Sequence, residues 1–484
     1  MTNDLAAFFM AGVAISRGVG HAEYSQRERG LCVPHFVFSP PPIPSEIQFC
    51  RRKEFLLARK TSRRDFMRAA AWTGAGFWVA ARSPLLFSQS PNEKLDVGVV
   101  GVGGRGAENL KSVGDQNVVA LCDIDQEQLY EASKKFPKAR LHNDWRRLLE
   151  EKLDAVVVST PDHMHAFASV HAMKAGFHVY CEKPLAHSIH EAHVAAATAV
   201  ERRRATQMGI QIHAESNYRR VVEIVKSGAL GEVKECHAWV GKTWSGGERP
   251  AETPPVPPHV HYDLWLGPAP ERPYHPTYLP ANWRRWWDFG GGTLADMGCH
   301  YMDVIHWALD LTNPTAVEAE GPPVHAETTP AWLVVHYDHP ARGKLPPVRV
   351  TWHDGGKRPK QFDEGKLPKW GDGVLFVGSK GMLLADYGHY KLLPEGDFAG
   401  FKPPAPFIPD SIGHHREWIE ACKSGAPTTC NFSYGGSLTE SVLLGNVAYR
   451  SGKRIEWSRA GLRVTNYPDA NKLVRREYRK GWTL

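Results

Sequence analysis

At 484 residues, with 42% hydrophobic and 23% charged side chains, the chain has length for two or three domains and the make-up of a soluble globular protein. Its formal net charge is +7, yet residues 1–90 hold 12 Lys/Arg against 6 Asp/Glu, leaving 47 against 46 for the rest. A near-neutral body excludes a nucleic-acid partner bound through a basic face.

Residues 1–60 show little periodicity and a Pro-rich run at 40–44, so they read as an extension without a fold of its own. Residues 61–90 read as a twin-arginine signal peptide. Thr61-Ser62-Arg63-Arg64-Asp65-Phe66-Met67 is followed by a weakly apolar run at 69–81 and a small-residue exit. That run is too short to span about 30 Å of hydrocarbon as a helix. It predicts export to the periplasm by the twin-arginine route, with no stable membrane anchor.

From residue 94 to 212 short apolar runs alternate with helical periods. Strands are expected at 95–100, 118–121, 155–159, 179–181 and 208–210, and helices at 105–114, 126–135, 163–175 and 188–204. This alternation predicts an α/β fold, an N-terminal Rossmann domain with a doubly wound parallel sheet. Residues 213–460 change texture and predict a C-terminal α+β domain with an open, mostly antiparallel sheet. Its expected helices are 218–227, 411–423 and 438–451, and its expected strands 233–240, 331–337, 347–352 and 375–377. Between them, 241–290 is rich in Pro, Trp and Tyr without regular period, as in a functional lid or binding segment. Residues 461–484 form a basic tail, read as a solvated helix face. Eight cysteines are scattered without metal-ligand spacing. Cys122 and Cys181 are expected as buried thiols; Cys236, Cys299, Cys422 and Cys430 are free to pair in an oxidising compartment or to stay reduced.

The fingerprint Gly101-Val102-Gly103-Gly104-Arg105-Gly106 sits between an apolar strand and an amphipathic helix. In that context Gly101 makes the tight turn, Gly103 admits a pyrophosphate, and Gly106 lets helix and strand approach closely. Asp123 ends the second strand, where a carboxylate binds ribose hydroxyls and repels a 2′-phosphate, so NAD is favoured over NADP.

Three further segments fall beyond the carboxyl ends of strands. They are Ser159-Thr160-Pro161-Asp162-His163-Met164-His165, Glu182-Lys183-Pro184, and the run from Gly290 to Asp303 that contains Asp296 and His300. Together with the fingerprint, these motifs resemble the glucose–fructose oxidoreductase / inositol dehydrogenase (Gfo/Idh/MocA) family over about 94–460. The resemblance implies an oxidoreductase acting on a sugar or polyol hydroxyl, with NAD held tightly and subunits paired into a homo-oligomer. It implies that Lys183 touches substrate and cofactor and that Asp296 and His300 form the Asp-x-x-x-His pair. Cofactor contacts are then expected from Gly101, Gly103, Arg105, Gly106, Asp123, Ser159, Thr160, Pro161, His165, Glu182 and Lys183.

The chemistry of these side chains agrees. An ammonium at Lys183 would stabilise a developing alkoxide, and a histidine is suited to removing a hydroxyl proton near neutrality. Asp296, His300, Asp303 and His306 could instead ligate a metal, but 300, 303 and 306 wander around a helix. Trp244, Trp265, Trp283, Trp286 and Trp287 are read equally as a sugar-stacking surface or as hydrophobic packing. An exported member leaves free nicotinamide cofactor behind, which favours a closed redox cycle. Three functions follow: an NAD-dependent sugar oxidoreductase, a redox-neutral NAD-dependent glycoside hydrolase or lyase, and a non-catalytic sugar-binding protein, against which Lys183, Asp296 and His300 argue.

Overall fold

The computed structural model describes residues 93–484; the leader and extension lie outside the described residues. Six strands form the first sheet: β1 (Asp96–Val100), β2 (Asn117–Cys122), β3 (Arg140–His142), β4 (Ala155–Val158), β5 (His178–Glu182) and β6 (Thr206–Gly209). They run in the order β3-β2-β1-β4-β5-β6, every pair parallel. The central strand β4 is Ala-Val-Val-Val with every residue buried, as expected where helices cover both faces. Helices α1 (Arg105–Ser112), α2 (Gln126–Lys135), α3 (Asp162–Lys174) and α4 (Ile189–Arg202) supply the crossovers. Local chemistry sets their starts: the Asp125 carboxylate caps α2, and Ser188 with Glu191 forms a capping box on α4.

The second sheet has nine strands. After α5 (Ser216–Lys226) come β7 (Val233–Trp239), helix α6 (Gly292–Ala308), β8 (Ala316–Glu320), β9 (Val334–His339), β10 (Val348–His353), β11 (Gly373–Gly378), β12 (Gly381–Ala385) and β13 (Tyr390–Leu393). Helices α7 (His414–Ser424) and α8 (Phe432–Ser451) precede β14 (Ile455–Ser458) and β15 (Arg463–Val464). The order is β13-β12-β11-β7-β10-β9-β8-β14-β15, antiparallel except where β10 pairs with β7. The fold class expected from sequence is therefore the observed one. The strands that sequence missed are weak ones. β3 has three residues, none of them fully buried, and β12 opens on glycine.

Helix α8 joins the two sheets. It is buried nearly all round, resting on α4 and β6 on one side and on α6 and β8 on the other. A Cβ at Gly436 would stand 2.9 Å from the Ala196 Cβ, so glycine is what lets α8 lie directly on α4. All six described cysteines are buried free thiols, which settles Cys236, Cys299, Cys422 and Cys430 as unpaired. Among the described residues no helix is long and apolar enough to cross a membrane.

The tail differs from the solvated helix expected. Arg463–Val464 is β15 of the second sheet, Pro468–Ala470 and Asn471–Val474 form two short helical turns, and Arg476, Tyr478 and Trp482 lie against α3. Tyr478 and Trp482 meet Phe167 edge-on at 4.9 and 5.8 Å. Arg476 bonds the buried Glu191 at 2.6 Å and the His163 carbonyl at 2.7 Å, and Arg479 pairs with Asp263. Arg476 and Arg479 are thus drawn onto the body, while Lys472, Arg475 and Lys480 stay exposed.

Candidate active site

At the end of β1 the Gly101 N–H donates to the Cys122 carbonyl at 2.8 Å, and Gly101 adopts φ +83°. A Cβ on Gly106 would lie 2.0 Å from the Gly101 oxygen, so α1 starts against the turn as the fingerprint requires. Asp123 is fixed by its neighbours. Oδ2 accepts from the Val102 N–H at 2.8 Å and Oδ1 from the Asp125 N–H at 3.0 Å, while burial pushes its pKa up. Arg105 is exposed on the first turn of α1, where its charge bears on His300 and His415.

The second loop comes from β4. Ser159 Oγ accepts from Asn109 at 2.9 Å, the Thr160 hydroxyl is buried without a partner, and Pro161 immediately precedes α3. His165 ties this loop to the third, its ring nitrogens each 2.7 Å from a carbonyl oxygen, one of Thr160 and one of Pro184. Glu182 is buried, its Oε1 accepting from Asn109 at 3.0 Å and Gln211 at 2.8 Å. The expected cofactor residues other than Gly106, which packs against the turn from behind, border one cleft of about 1000 Å³, whose wall includes Gly101, Gly103, Asp123, Thr160, Lys183 and His300. A glycine turn, a helix N-terminus, a ribose-distance carboxylate and an orphan hydroxyl fit an extended dinucleotide.

At the far end of the cleft α6 presents Asp296 and His300. Asp296 is 5% exposed and saturated with donors: Lys183 Nζ at 2.9 Å and Arg284 Nε at 3.0 Å on Oδ1, Lys242 Nζ and Trp244 Nε1, each at 2.7 Å, on Oδ2. Lys183 also donates to the Asp296 carbonyl at 2.6 Å. Three cations hold the Asp296 carboxyl well below the usual range despite its burial.

The four-residue spacing does place His300 in the same cleft, but no hydrogen bond joins it to Asp296. Its Nδ1 is buried without a partner, and burial together with the Lys183 charge lowers its pKa to about 3. Burial thus holds the His300 ring in its neutral form, the one that can accept a hydrogen bond or a proton. Asp162, part of the second motif but given no role from sequence, is shifted the opposite way. It is buried at the start of α3, and desolvation raises its pKa to about 7 against the pull of Arg284 and Lys183.

The four residues considered as metal ligands do not converge. Asp303 bonds His213 at 2.9 Å and the Tyr434 hydroxyl at 2.6 Å, while His306 faces His339 edge-on. The aromatic segment divides. Trp265, Trp283, Trp286 and Trp287 are at most 6% exposed, the first three in one cluster with Tyr262, Tyr278 and Phe289. Packing accounts for them, although Trp265 and Trp283 show an edge to the cleft. Trp244 is half-buried and stays at the catalytic end.

Residues 95–210 match the domain described as "Oxidoreductase family, NAD-binding Rossmann fold", and residues 215–345 match its partner, "Oxidoreductase family, C-terminal alpha/beta domain". The two matches together cover just over half of the chain. The chain belongs to the Gfo/Idh/MocA family. Its first domain is accordingly an NAD-binding Rossmann domain. Among curated relatives, a glycosyl hydrolase family 109 protein of Solibacter usitatus is 34% identical over 194 residues, 36% of this chain and 44% of that protein. An inositol 2-dehydrogenase of Salmonella paratyphi B is 30% identical over 150 residues, 30% of this chain and 45% of that protein. The matches thus span less than half the length of either relative. In fold the chain is similar to the WlbA dehydrogenase of Bordetella pertussis, solved with NADH and UDP-GlcNAcA. The TM-score is 0.54 at 18% identity, covering 76% of this chain and 99% of that one.

Proposed function

We propose that this Gfo/Idh/MocA chain is an NAD-dependent oxidoreductase acting on a secondary hydroxyl of a sugar or polyol. One observation carries the reading: the Lys183 ammonium is anchored on Asp296 in the same cleft as His300, Asp162 and the glycine turn that fits a dinucleotide. Bound NAD supplies the hydride acceptor at nicotinamide C4. Lys183 donates to the reacting oxygen and stabilises the charge that develops there. Asp296 holds Lys183 in place from below. Asp162, its pKa matched to neutral pH, takes the single hydroxyl proton as the hydride leaves, and the neutral His300 ring lines the same pocket.

The sign of the pH dependence follows. Asp162 acts as an acceptor only when ionised, so kcat/KM for oxidation is expected to rise with pH through about 7. Asp162→Asn flattens that limb and His300→Asn leaves it in place. A profile from about pH 5 to 9 in which the limb survives Asp162→Asn would reassign the base.

The Solibacter relative favours a second reading, a redox-neutral glycoside cleavage in which oxidation of a ring hydroxyl is transient. Incubation of the purified chain with NAD and either free sugars or aryl glycosides separates the two. Net NADH supports the oxidoreductase; release of aglycone without net NADH supports the glycosidase; neither product over a broad panel sinks both. We further propose export through Arg63 and Arg64, with cofactor carried along. A reporter fused behind residues 1–90 should reach the periplasm and stay cytosolic when both arginines become lysine; equal export of the two fusions removes the proposal.

A further inference from the structure

The cations at the catalytic end outnumber what the protein offers to balance them. Lys183, Lys242 and Arg284 all lie on the single carboxylate of Asp296. Each of its oxygens already accepts two donors, which fills an acceptor-only group of about four sites. Asp162 lines the same cleft, buried, with its pKa raised by desolvation to about 7, and Asp372 is held by the Gly241 N–H at 2.7 Å. Glu182 is engaged elsewhere, by Asn109 and Gln211. A positive surplus is left facing the cleft.

Two of the three cations have donors to spare. Lys242, directly beyond β7, has a side chain 42% exposed and makes one strong hydrogen bond. Arg284, in the turn Asn282–Arg285, commits Nε to Asp296 and Nη1 to the Ala281 carbonyl. Its Nη2 has no protein partner among the described residues. The guanidinium lies 4.2 Å over the Trp283 ring and 5.5 Å from that of Trp244, and Lys242 Nζ lies 5.0 Å from the same Trp244 ring. Stacking fixes the faces of the guanidinium and leaves an edge for hydrogen bonding, the arrangement suited to a planar carboxylate.

We propose that Lys242 and Arg284, held around Trp244, form an anion subsite, and that the substrate is a sugar acid whose carboxylate seats on these two cations while its hydroxyl lies at Lys183. The inference rests on the oxidoreductase reading for the placement of that hydroxyl. The anion subsite itself stands on the geometry alone. Neither residue is needed to hold Lys183, because Lys183 has its own contacts to Asp296 Oδ1 and to the backbone carbonyl.

The test is a ligand-observed NMR titration of the purified chain, with and without NAD, using D-glucuronate, D-galacturonate, D-glucose and D-glucose 6-phosphate as probes. A uronate should bind saturably and at least about tenfold tighter than glucose, the scale of one charge-assisted hydrogen bond. Lys242→Gln alone should weaken that preference, and Lys242→Gln/Arg284→Gln should remove it, with unchanged circular dichroism and NAD affinity as the folding control. A uronate that binds no better than glucose, or a preference that survives the double variant, overturns the proposal. Tight glucose 6-phosphate without uronate binding overturns it in favour of a phosphate ligand. Uronate binding without any NAD binding would retain the subsite and remove the oxidoreductase reading, so the two failures are distinguishable.

Discussion

Replacing Lys183 with alanine is expected to lower kcat/KM by about three orders of magnitude while NAD affinity changes less than tenfold. The size is that of removing one preorganised donor to a developing oxyanion, about 10²- to 10³-fold, together with the impaired proton transfer beside it. The fold should survive. Asp296 keeps Lys242, Arg284 and Trp244 after the substitution, so its carboxylate is not left buried and unpaired. A loss of about 3 kcal/mol is expected from two charge-assisted hydrogen bonds, a shift of several degrees in melting temperature for a chain of this size. Steady-state kinetics, NAD titration and thermal melting measured on one preparation separate these effects. Activity within tenfold of the unsubstituted protein would show that Lys183 is not at the reacting oxygen. A selective collapse of NAD affinity would make it a cofactor ligand instead.

The first sheet could be read from sequence because its signals are local. β4 is an unbroken apolar run, and Gly106 answers a contact with the Gly101 backbone five residues earlier. The Lys183–Asp296 pair joins positions 113 apart, and only the order of motifs pointed to it. Protonation was the least legible property. His300 and Asp162 stand in the right place by pattern, but what each does at neutral pH depends on burial and on neighbouring charge, which no spacing encodes. Lys242 and Arg284 carried no signal beyond lying near the two ends of the aromatic segment. Their meaning appears only when the chain returns both to one carboxylate. The tail failed for the opposite reason: a run of like charges looks solvated until Glu191 and the carbonyls it meets are known.

The largest structural effect is expected at Gly106. An added Cβ meets the Gly101 oxygen at 2.0 Å, the Gly101 carbonyl carbon at 2.7 Å and the Ser159 Cβ at 3.3 Å. The first two are backbone atoms, so no rotamer change relieves the contact; either α1 moves away from the turn or the turn opens. Gly106→Ala is expected to cost about 2–3 kcal/mol, the upper range for overpacking, and Gly106→Val more. Either movement displaces the N–H groups at the start of α1 from the pyrophosphate, so NAD affinity should fall by about a hundredfold or more. Gly104→Ala is the discriminating control. Gly104, unlike Gly106, sits at positive φ, +51°, but a Cβ there meets nothing within 4 Å. It should show conformational strain of about 1 kcal/mol without the collision, and keep most of its NAD affinity. Equal losses at 104 and 106 would attribute the fingerprint to backbone conformation alone. A larger loss at 106, read by NAD titration and thermal melting together, assigns it to the contact between helix and turn.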